Sequence, residues 1–272
     1  MITKQLIVYL LACMGLLACS ASSVTIEGKD GINRQKEYYL YGCQAGSLIP
    51  IASALIDSNG CFRLNVPLPQ EGFYLLGTEQ GVMHPFYLKG NETIRLRFQT
   101  NGMILEGEQT PENQALSQWE QAATLVREHA FLYERFGGGY STDPATFTQE
   151  LEDLLRVRQQ LKPEKATGNA TFNSLLKAKM EADVDFYALA YLQRNAGNLS
   201  DTIRLSNYYQ KMQPEKTLQQ PALLQLPYAG EMLRTYVWYK YGDPIELREA
   251  FKYKSTCLID STFQQHYLYN EI

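Results

Sequence analysis

The spacing of hydrophobic residues changes near Glu108, and this change constrains the fold more than any other feature of the chain. Before it, hydrophobic and polar residues partly alternate, as at positions 94–98, where Ile, Leu and Phe are separated by two arginines. Alternation of this kind is typical of a β-strand with one buried face. After Glu108, hydrophobic residues recur every three or four positions, which is typical of helices. The first helical set is Leu116, Trp119, Ala123 and Val126.

The segment 24–108 predicts about eight short strands. The clearest lie at residues 38–41, 49–56, 62–66, 73–76, 86–88 and 94–98. Turn sequences such as Asp57-Ser58-Asn59-Gly60 separate them. Short strands at close spacing are typical of a small antiparallel β-sandwich.

The segment 109–272 predicts an all-helical domain. Thr110-Pro111-Glu112 and Asp143-Pro144 each place a capping residue before a first-turn proline. Further helices are expected at residues 175–195, from a cap at Asp201 to near Pro214, and at 222–241, 243–254 and 261–270. The predicted fold class is therefore α+β, with an N-terminal antiparallel β-sandwich followed by an all-helical domain.

The N-terminus has the pattern of an export signal. Lys4 precedes a short apolar run at residues 6–17, which suits a signal peptide and is too short to span a bilayer. Leu16-Leu17-Ala18-Cys19 then matches the bacterial lipobox, whose cysteine receives diacylglycerol. We expect residues 1–18 to be a signal peptide, Cys19 to be lipidated and residues 19–23 to form a tether. The alternative is an ordinary secretory signal that contains a cysteine.

Acyl chains on Cys19 would supply the membrane binding of the exported chain. No acidic residue follows Cys19 closely, and such residues favour surface display in lipoproteins of the Bacteroidota. We therefore expect a membrane-anchored lipoprotein that faces the periplasm.

Charge and motif spacing argue against several functions. The formal net charge of −4 disfavours nucleic-acid binding, which needs a basic surface. His84, His129 and His266 have no metal-ligand spacing. Two acidic runs on predicted helices are interpreted as solvent-exposed faces: Glu150, Glu152 and Asp153, and Glu181, Asp183 and Asp185. We expect no cofactor, no metal site and no catalytic residues.

Two covalent modifications are open at this point. Cys43 and Cys61 lie in neighbouring predicted strands and could form a disulfide in an oxidising compartment, or remain two buried free thiols. Asp201-Thr202-Ile203 fits a short O-glycosylation pattern at Thr202, although helix capping by Asp201 is the simpler explanation and the one we favour.

The first half of the chain resembles the N-terminal domain of unknown function in thioredoxin-like lipoproteins of the Bacteroidota, and the second half resembles their helical spacer. The resemblance covers residues 24–116. It rests on Tyr39-Leu40-Tyr41, the run from Ala54 to Phe62, Val66-Pro67-Leu68-Pro69, Gly72-Phe73-Tyr74, Pro85-Phe86-Tyr87-Leu88, the run from Gly90 to Ile94, Leu105-Glu106-Gly107 and Glu112-Asn113.

In that family a thioredoxin domain with Trp-Cys-x-x-Cys usually follows, but this chain has no Cys-x-x-Cys before Ile272. Either the redox domain is lacking or the sequence was cut before it. We expect a non-catalytic binding or scaffolding protein, whose partner is an envelope protein or a thioredoxin-like protein. The alternatives are an accessory region of a thiol–disulfide oxidoreductase and a glycan-handling lipoprotein. An aromatic cluster, Tyr228, Tyr236, Tyr239 and Tyr241 around Trp238, is either a contact surface or helix core.

Overall fold

The computed structural model describes residues 22–31, 37–44, 46–78, 83–99, 102–131, 142–194 and 206–241. It has an α+β fold, as predicted. Within these residues the strands are β1 (Ser23–Asp30), β2 (Glu37–Gln44), β3 (Ser47–Leu55), β4 (Cys61–Pro67), β5 (Gly72–Gly77), β6 (His84–Leu88), β7 (Glu92–Gln99) and β8 (Gly102–Glu106). They form two four-stranded sheets. The first has the order β4-β1-β7-β8 and the second has the order β3-β2-β5-β6.

The prediction of a purely antiparallel sandwich is wrong at one strand pair. β1 runs parallel to β7, with Val24 opposite Glu92 and Asp30 opposite Phe98. The other pairs are antiparallel. A parallel pair needs a long crossover connection, and here β2 to β6 separate β1 from β7 along the chain. Hydrophobic alternation assigns the buried face of a strand but does not choose its neighbour, so the sequence did not reveal this pairing.

One hydrophobic core fills the space between the two sheets. Alternate residues of the strands enter it, including Val24, Ile26 and Leu40, which are fully buried. The ring of Tyr38 on the second sheet stacks on the rings of both Phe62 and Phe98 on the first, with centroid distances of 4.4 and 4.7 Å. The sheets therefore pack face to face as a sandwich.

The helical half begins where the sequence predicted. In the described part of this half the helices are α1 (Pro111–Ala130), α2 (Pro144–Leu161), α3 (Ala170–Arg194), α4 (Asn207–Lys211), α5 (Pro214–Thr217) and α6 (Ala229–Tyr241), with 3₁₀ turns at Pro163–Lys165 and Pro221–Gln225. The Thr110 hydroxyl caps α1 by accepting from Asn113 N at 3.2 Å. Asp143 caps α2 by accepting from the backbone N–H groups of Ala145 and Thr146, each at 3.1 Å.

The predicted helix at 222–241 is wrong in its first part. Pro227 biases the preceding residue away from helical geometry, and Leu226 is extended with ψ 151°. The segment is therefore divided into a 3₁₀ turn and α6. The predicted cap at Asp201 and the predicted helices at 243–254 and 261–270 lie outside the described residues.

A second core joins the helices to the outer face of the second sheet. Phe73 and Tyr87 point away from the sandwich interior and meet Phe172 of α3, with centroid distances of 6.4 and 4.8 Å. The molecule thus has three layers in the order sheet, sheet, helices. None of the described helices is long and apolar enough to cross a membrane.

Candidate functional site

A cavity of about 610 Å³ lies between the sandwich and the helical layer. One wall is polar and belongs to α1, and the facing wall includes Met83, Met103 and Leu105 from the segments around β6 and β8. Exposed Gln121 and Glu231 belong to its lining, so the cavity reaches the molecular surface there. This size and this mixture of apolar walls with a few polar groups are typical of small-molecule sites.

The polar wall follows from the spacing of residues on α1. Its members recur at intervals of three or four and so share one helical face: Ser117, Glu120, Gln121, Thr124 and Arg127. The opposite face of α1 carries Trp119, Ala123 and Val126, which are buried in the helical core. Burial of this apolar stripe therefore turns the polar stripe towards the cavity.

Four charged side chains form a connected network beside the cavity. Glu120 Oε2 accepts from Arg127 Nη1 at 2.7 Å, and Glu120 Oε1 lies 2.9 Å from Lys179 Nζ. Lys179 Nζ also donates to Asp183 Oδ2 at 2.7 Å. The same Asp183 oxygen accepts from Trp119 Nε1 at 2.7 Å. The network thus ties α1 to α3 through the core.

Burial and pairing oppose each other in setting the ionisation of these groups. Burial alone would raise the pKa of Glu120, but the attraction of Lys179 and Arg127 outweighs it and holds this pKa below its usual value. For Asp183 burial outweighs the attraction of Lys179, and its pKa is raised. Asp183 and Glu120 overcome the burial of Lys179 and raise the pKa of its ammonium. Lys179 therefore stays protonated and acts as a charge, not as a nucleophile.

Arg127 is the member of the network that faces outward. Its side chain remains 39% exposed while it is held by Glu120. A second cavity of about 200 Å³ shares Arg127, Tyr228 and Glu231 with the first, and it is also lined by Lys179 and Asp183. Arg127 consequently stands between solvent and the buried charges.

Tyr228 covers this region in an unusual backbone conformation. Its φ of 64° is left-handed, which is uncommon for an aromatic residue. Its hydroxyl donates to the carbonyl oxygen of Met83 at 3.4 Å. Strained residues of this kind concentrate at ligand sites, where the surrounding structure holds them.

His84 lies at the sandwich side of the same cavity. Its ring is 5.5 Å from the ring of Phe98. Burial, reinforced by the positive charge of Arg127, lowers its pKa below 6.5. His84 is therefore a neutral imidazole at neutral pH that can donate one hydrogen bond and accept another.

The structure separates the cysteines proposed as a disulfide. Cys43 is in β2 of the second sheet and Cys61 is in β4 of the first, and both are free thiols. Burial raises the pKa of Cys43 to about 12. The sequence left a disulfide and two free thiols as alternatives for this pair, and the structure has two free thiols. Cys19 and Thr202 lie outside the described residues.

The interpretation of the second acidic run as a solvent-exposed face is wrong. Asp183 and Asp185 are only 2% and 4% exposed. Asp185 accepts hydrogen bonds from the hydroxyls of Tyr208 and Thr217 and so holds α4 and α5 against α3. The sequence contained one usable signal, since Lys179 and Asp183 are four residues apart on an otherwise apolar helix face. It held no comparable signal that linked them to Glu120 and Arg127.

The aromatic cluster around Trp238 is divided between core and surface. Tyr236 is 2% exposed and packs in the helical core, whereas Tyr239 is 44% exposed. Tyr228 lines the cavity.

Comparisons of the chain with models of known protein families and with curated protein sequences find no match.

Proposed function

We propose that this chain is a lipid-anchored protein of the cell envelope that binds a ligand in the cavity beside α1, without catalysing a reaction on it. The observation that carries the binding role is the network of Glu120, Arg127, Lys179 and Asp183 next to a cavity of about 610 Å³. Buried ion pairs are often no more stable than apolar packing of the same volume. Such clusters, with shifted pKa values in a cleft, are more typical of functional sites.

The anchoring role rests on the lipobox at Cys19. Ser22 is the first described residue, and its carbonyl oxygen accepts from Leu68 N at 2.8 Å. The three residue-to-residue steps from Cys19 to Ser22 span at most about 11 Å. In this proposal the end of the sandwich that carries Ser23 therefore lies close to the bilayer.

The cavity extends towards the opposite end of the sandwich. Ser23 pairs with Pro67 at one end of β1, and Asp30 pairs with Phe98 at the other. Gly102 and His84, both in the cavity lining, lie near Phe98 and thus far from Ser23. We infer that an anchored chain presents the cavity to the aqueous compartment, where it binds a water-soluble ligand.

A second candidate, an accessory role for a thioredoxin-like partner, is supported by the resemblance in residues 24–116. The thiol of Cys43, with a pKa of about 12, is poorly suited to attack a disulfide. In that role the redox cysteines would belong to the partner.

Lipidation is tested by growing the native host with labelled palmitate and comparing Cys19→Ser with Cys13→Ser. We expect label and detergent-phase partition to be lost in Cys19→Ser and retained in Cys13→Ser, whose cysteine lies within the predicted signal peptide. Labelling of Cys19→Ser at the parental level would contradict the anchor.

Binding is tested by thermal unfolding of the full chain in detergent with amino acids, short peptides, oligosaccharides and nucleotides. Thr124 lines the cavity, whereas Leu125 is 49% exposed on another face of α1. A ligand at 100 times its Kd stabilises the fold by about 2.7 kcal/mol. We expect one class to raise the Tm of the parent and of Leu125→Trp, but not of Thr124→Trp. Absence of any shift, or an equal shift in Thr124→Trp, would contradict the proposal.

A further inference from the structure

We propose that the outer face of the first sheet, which points away from the second sheet, docks on a bilayer surface that carries anionic phospholipid headgroups. This inference rests on the proposed anchor at Cys19 and specifies how the anchored body is oriented on the membrane.

The strand register gathers the basic residues of this face into two neighbouring rows. In the first row Glu27 lies between Arg63 and Arg95, because Glu27 pairs with both of these positions. In the second row Lys29 pairs with Arg97. The residues between the two rows along each strand are buried, so alternation turns the side chains of both rows outward.

Cations outnumber carboxylates on this face. Glu27 is shared by two arginines, since its Oε1 lies 3.4 Å from Arg63 Nη1 and its Oε2 accepts from Arg95 Nε at 3.1 Å. Arg97 Nη2 lies 2.6 Å from Glu106 Oε1. With the lysine of the second row there are four cations and two carboxylates, which leaves +2 on these rows, whereas the whole chain has a net charge of −4.

The three arginines keep most of their donors available to phosphate groups. Arg63, Arg95 and Arg97 are 68%, 61% and 49% exposed, and the described ion pair of each uses one nitrogen. A guanidinium has five N–H donors and pairs well with phosphate oxygens. Because exposed ion pairs are weak, the carboxylates compete poorly with a phosphate-rich surface.

Two residues at the rim of the face change this balance slightly. Asp57, in the turn before β4, borders the same surface, and its Oδ1 accepts from the backbone N–H groups of Asn59 and Cys61 at 2.8 Å. The face stays positive by one charge when Asp57 is counted. Ile104 pairs with Arg97 and is 43% exposed, so it adds an apolar contact of the kind that interfacial proteins make with lipid.

The position of the anchor allows this face to reach the bilayer. β1 begins at Ser23, and the outward residues nearest to it are uncharged, namely Thr25, Asn65 and Thr93. Lys29 is six residues further along β1, or about 20 Å. A short tether therefore holds the start of β1 at the surface, and a tilt about that point brings the basic rows to the headgroups. The helices pack on the far side of the second sheet, so the cavity beside α1 remains open to water.

The orientation is tested with the lipid-anchored protein, purified from its native host and reconstituted in vesicles. The vesicles contain phosphatidylcholine alone or in equal parts with phosphatidylglycerol, together with a phospholipid whose spin-labelled headgroup quenches nearby tryptophan. Ile104→Trp reports on the basic face, and Leu125→Trp, at a position 49% exposed on α1, reports on the helical layer. The quenching of the parent, which has two tryptophans, is subtracted.

We expect quenching of Ile104→Trp in the phosphatidylglycerol vesicles but not in phosphatidylcholine alone, and no quenching of Leu125→Trp in either. Salt at about 1 M, where the Debye length is about 3 Å, should abolish it. The salt series tests the charge dependence without any further substitution.

Variants assign the docking to the arginines. Each cation near an anionic surface changes the ratio of docked to undocked protein about five-fold. Arg95→Gln/Arg97→Gln, made in the Ile104→Trp background, should therefore lower this ratio about 30-fold. Arg156→Gln/Lys216→Gln removes the same number of charges from exposed positions of the helical layer and should leave the ratio unchanged.

The inference is overturned if Ile104→Trp is not quenched in the phosphatidylglycerol vesicles, or if its quenching is the same without Arg95 and Arg97. Flotation of the same samples with phosphatidylcholine vesicles at about 1 M salt, where charge attraction is screened, reports on the anchor alone. Flotation without quenching leaves the anchor standing and removes the docking face. A protein that does not float lacks the anchor, and the inference then fails with it.

Discussion

The Asn113 side chain pairs with the backbone of Tyr87 as a neighbouring strand would. Its Oδ1 accepts from Tyr87 N at 2.9 Å, and its Nδ2 donates to the Tyr87 carbonyl at 2.9 Å. Tyr87 is in β6, an edge of the second sheet, where unpaired backbone groups would be costly once buried. One amide on α1 thus satisfies the Tyr87 backbone groups at this edge and holds in place the helix that carries the polar wall of the cavity.

Asn113→Ala should destabilise the fold strongly. The change leaves the buried N–H and carbonyl of Tyr87 without partners, and each such loss costs about 1–3 kcal/mol. We expect the free energy of unfolding to fall by about 2–5 kcal/mol in urea titrations. Gln114→Ala, at the next and exposed position, should change it by less than about 0.5 kcal/mol. Similar losses in the two variants would show that the Asn113 contacts add little.

The strands and the first helices could be predicted because their signals are local. Alternation places residues 62–66 and 94–98 correctly, and the caps at Thr110 and Asp143 are where the sequence indicates. Both signals depend on a few adjacent residues, so they do not require knowledge of the tertiary fold.

The site could not be predicted because it depends on contacts between distant segments. Glu120 and Lys179 are far apart in sequence, and only the packing of α1 against α3 brings them to 2.9 Å. The spacing of Asp183 and Asp185 along the helix is compatible with an exposed face and with a buried one, so it does not distinguish the two. Their burial is decided by α1, α4 and α5, which contact α3 from the side that the sequence alone would assign to solvent.

Lys179→Met should lower the free energy of unfolding by more than the loss of the Lys179 hydrogen bonds alone would. Lys179 is 3% exposed and lies between Asp183 and Glu120. Its removal leaves the buried carboxylate of Asp183 without a cation, and breaking a buried ion pair in this way costs about 3–5 kcal/mol. We expect this loss in the free energy of unfolding measured with urea.

The double variant Lys179→Met/Asp183→Leu should be more stable than Lys179→Met, because it removes the orphaned carboxylate together with its partner. Asp183→Leu is measured alone as well. If the losses in unfolding free energy of Lys179→Met and Asp183→Leu add up to that of the double variant, Lys179 and Asp183 are not energetically coupled.

Gly28→Ala should disrupt the aromatic stack between the sheets. A Cβ at Gly28 would lie 2.1 Å from Cζ of Phe62, so the ring that stacks on Tyr38 would have to move. Overpacking of this kind costs about 1–3 kcal/mol, and we expect a corresponding fall in Tm. Gly72→Ala, with no atom within 4 Å of the added Cβ, is the matched control. Phe62→Leu should raise the Tm of Gly28→Ala, because it relieves the clash, but it should not raise the Tm of the parent.

His84 should make the fold less stable as the pH falls below 6.5. Burial, with the positive charge of Arg127, lowers its pKa below 6.5 in the folded state, while Glu120 opposes the shift. Between these two pKa values the unfolded chain binds a proton that the folded chain does not, so stability rises with pH in that window and its slope is at most about 1.4 kcal/mol per pH unit. The contribution is fully present above 6.5 and is lost progressively below it.

An NMR titration of the imidazole should give a midpoint below 6.5 in the folded protein and an ordinary one in urea. The difference in unfolding free energy between the parent and His84→Gln should shift in favour of the variant as the pH is lowered from 7.5 to 5.5, about one unit either side of the usual histidine pKa. A difference that stays constant over this range would mean that His84 titrates alike in both states.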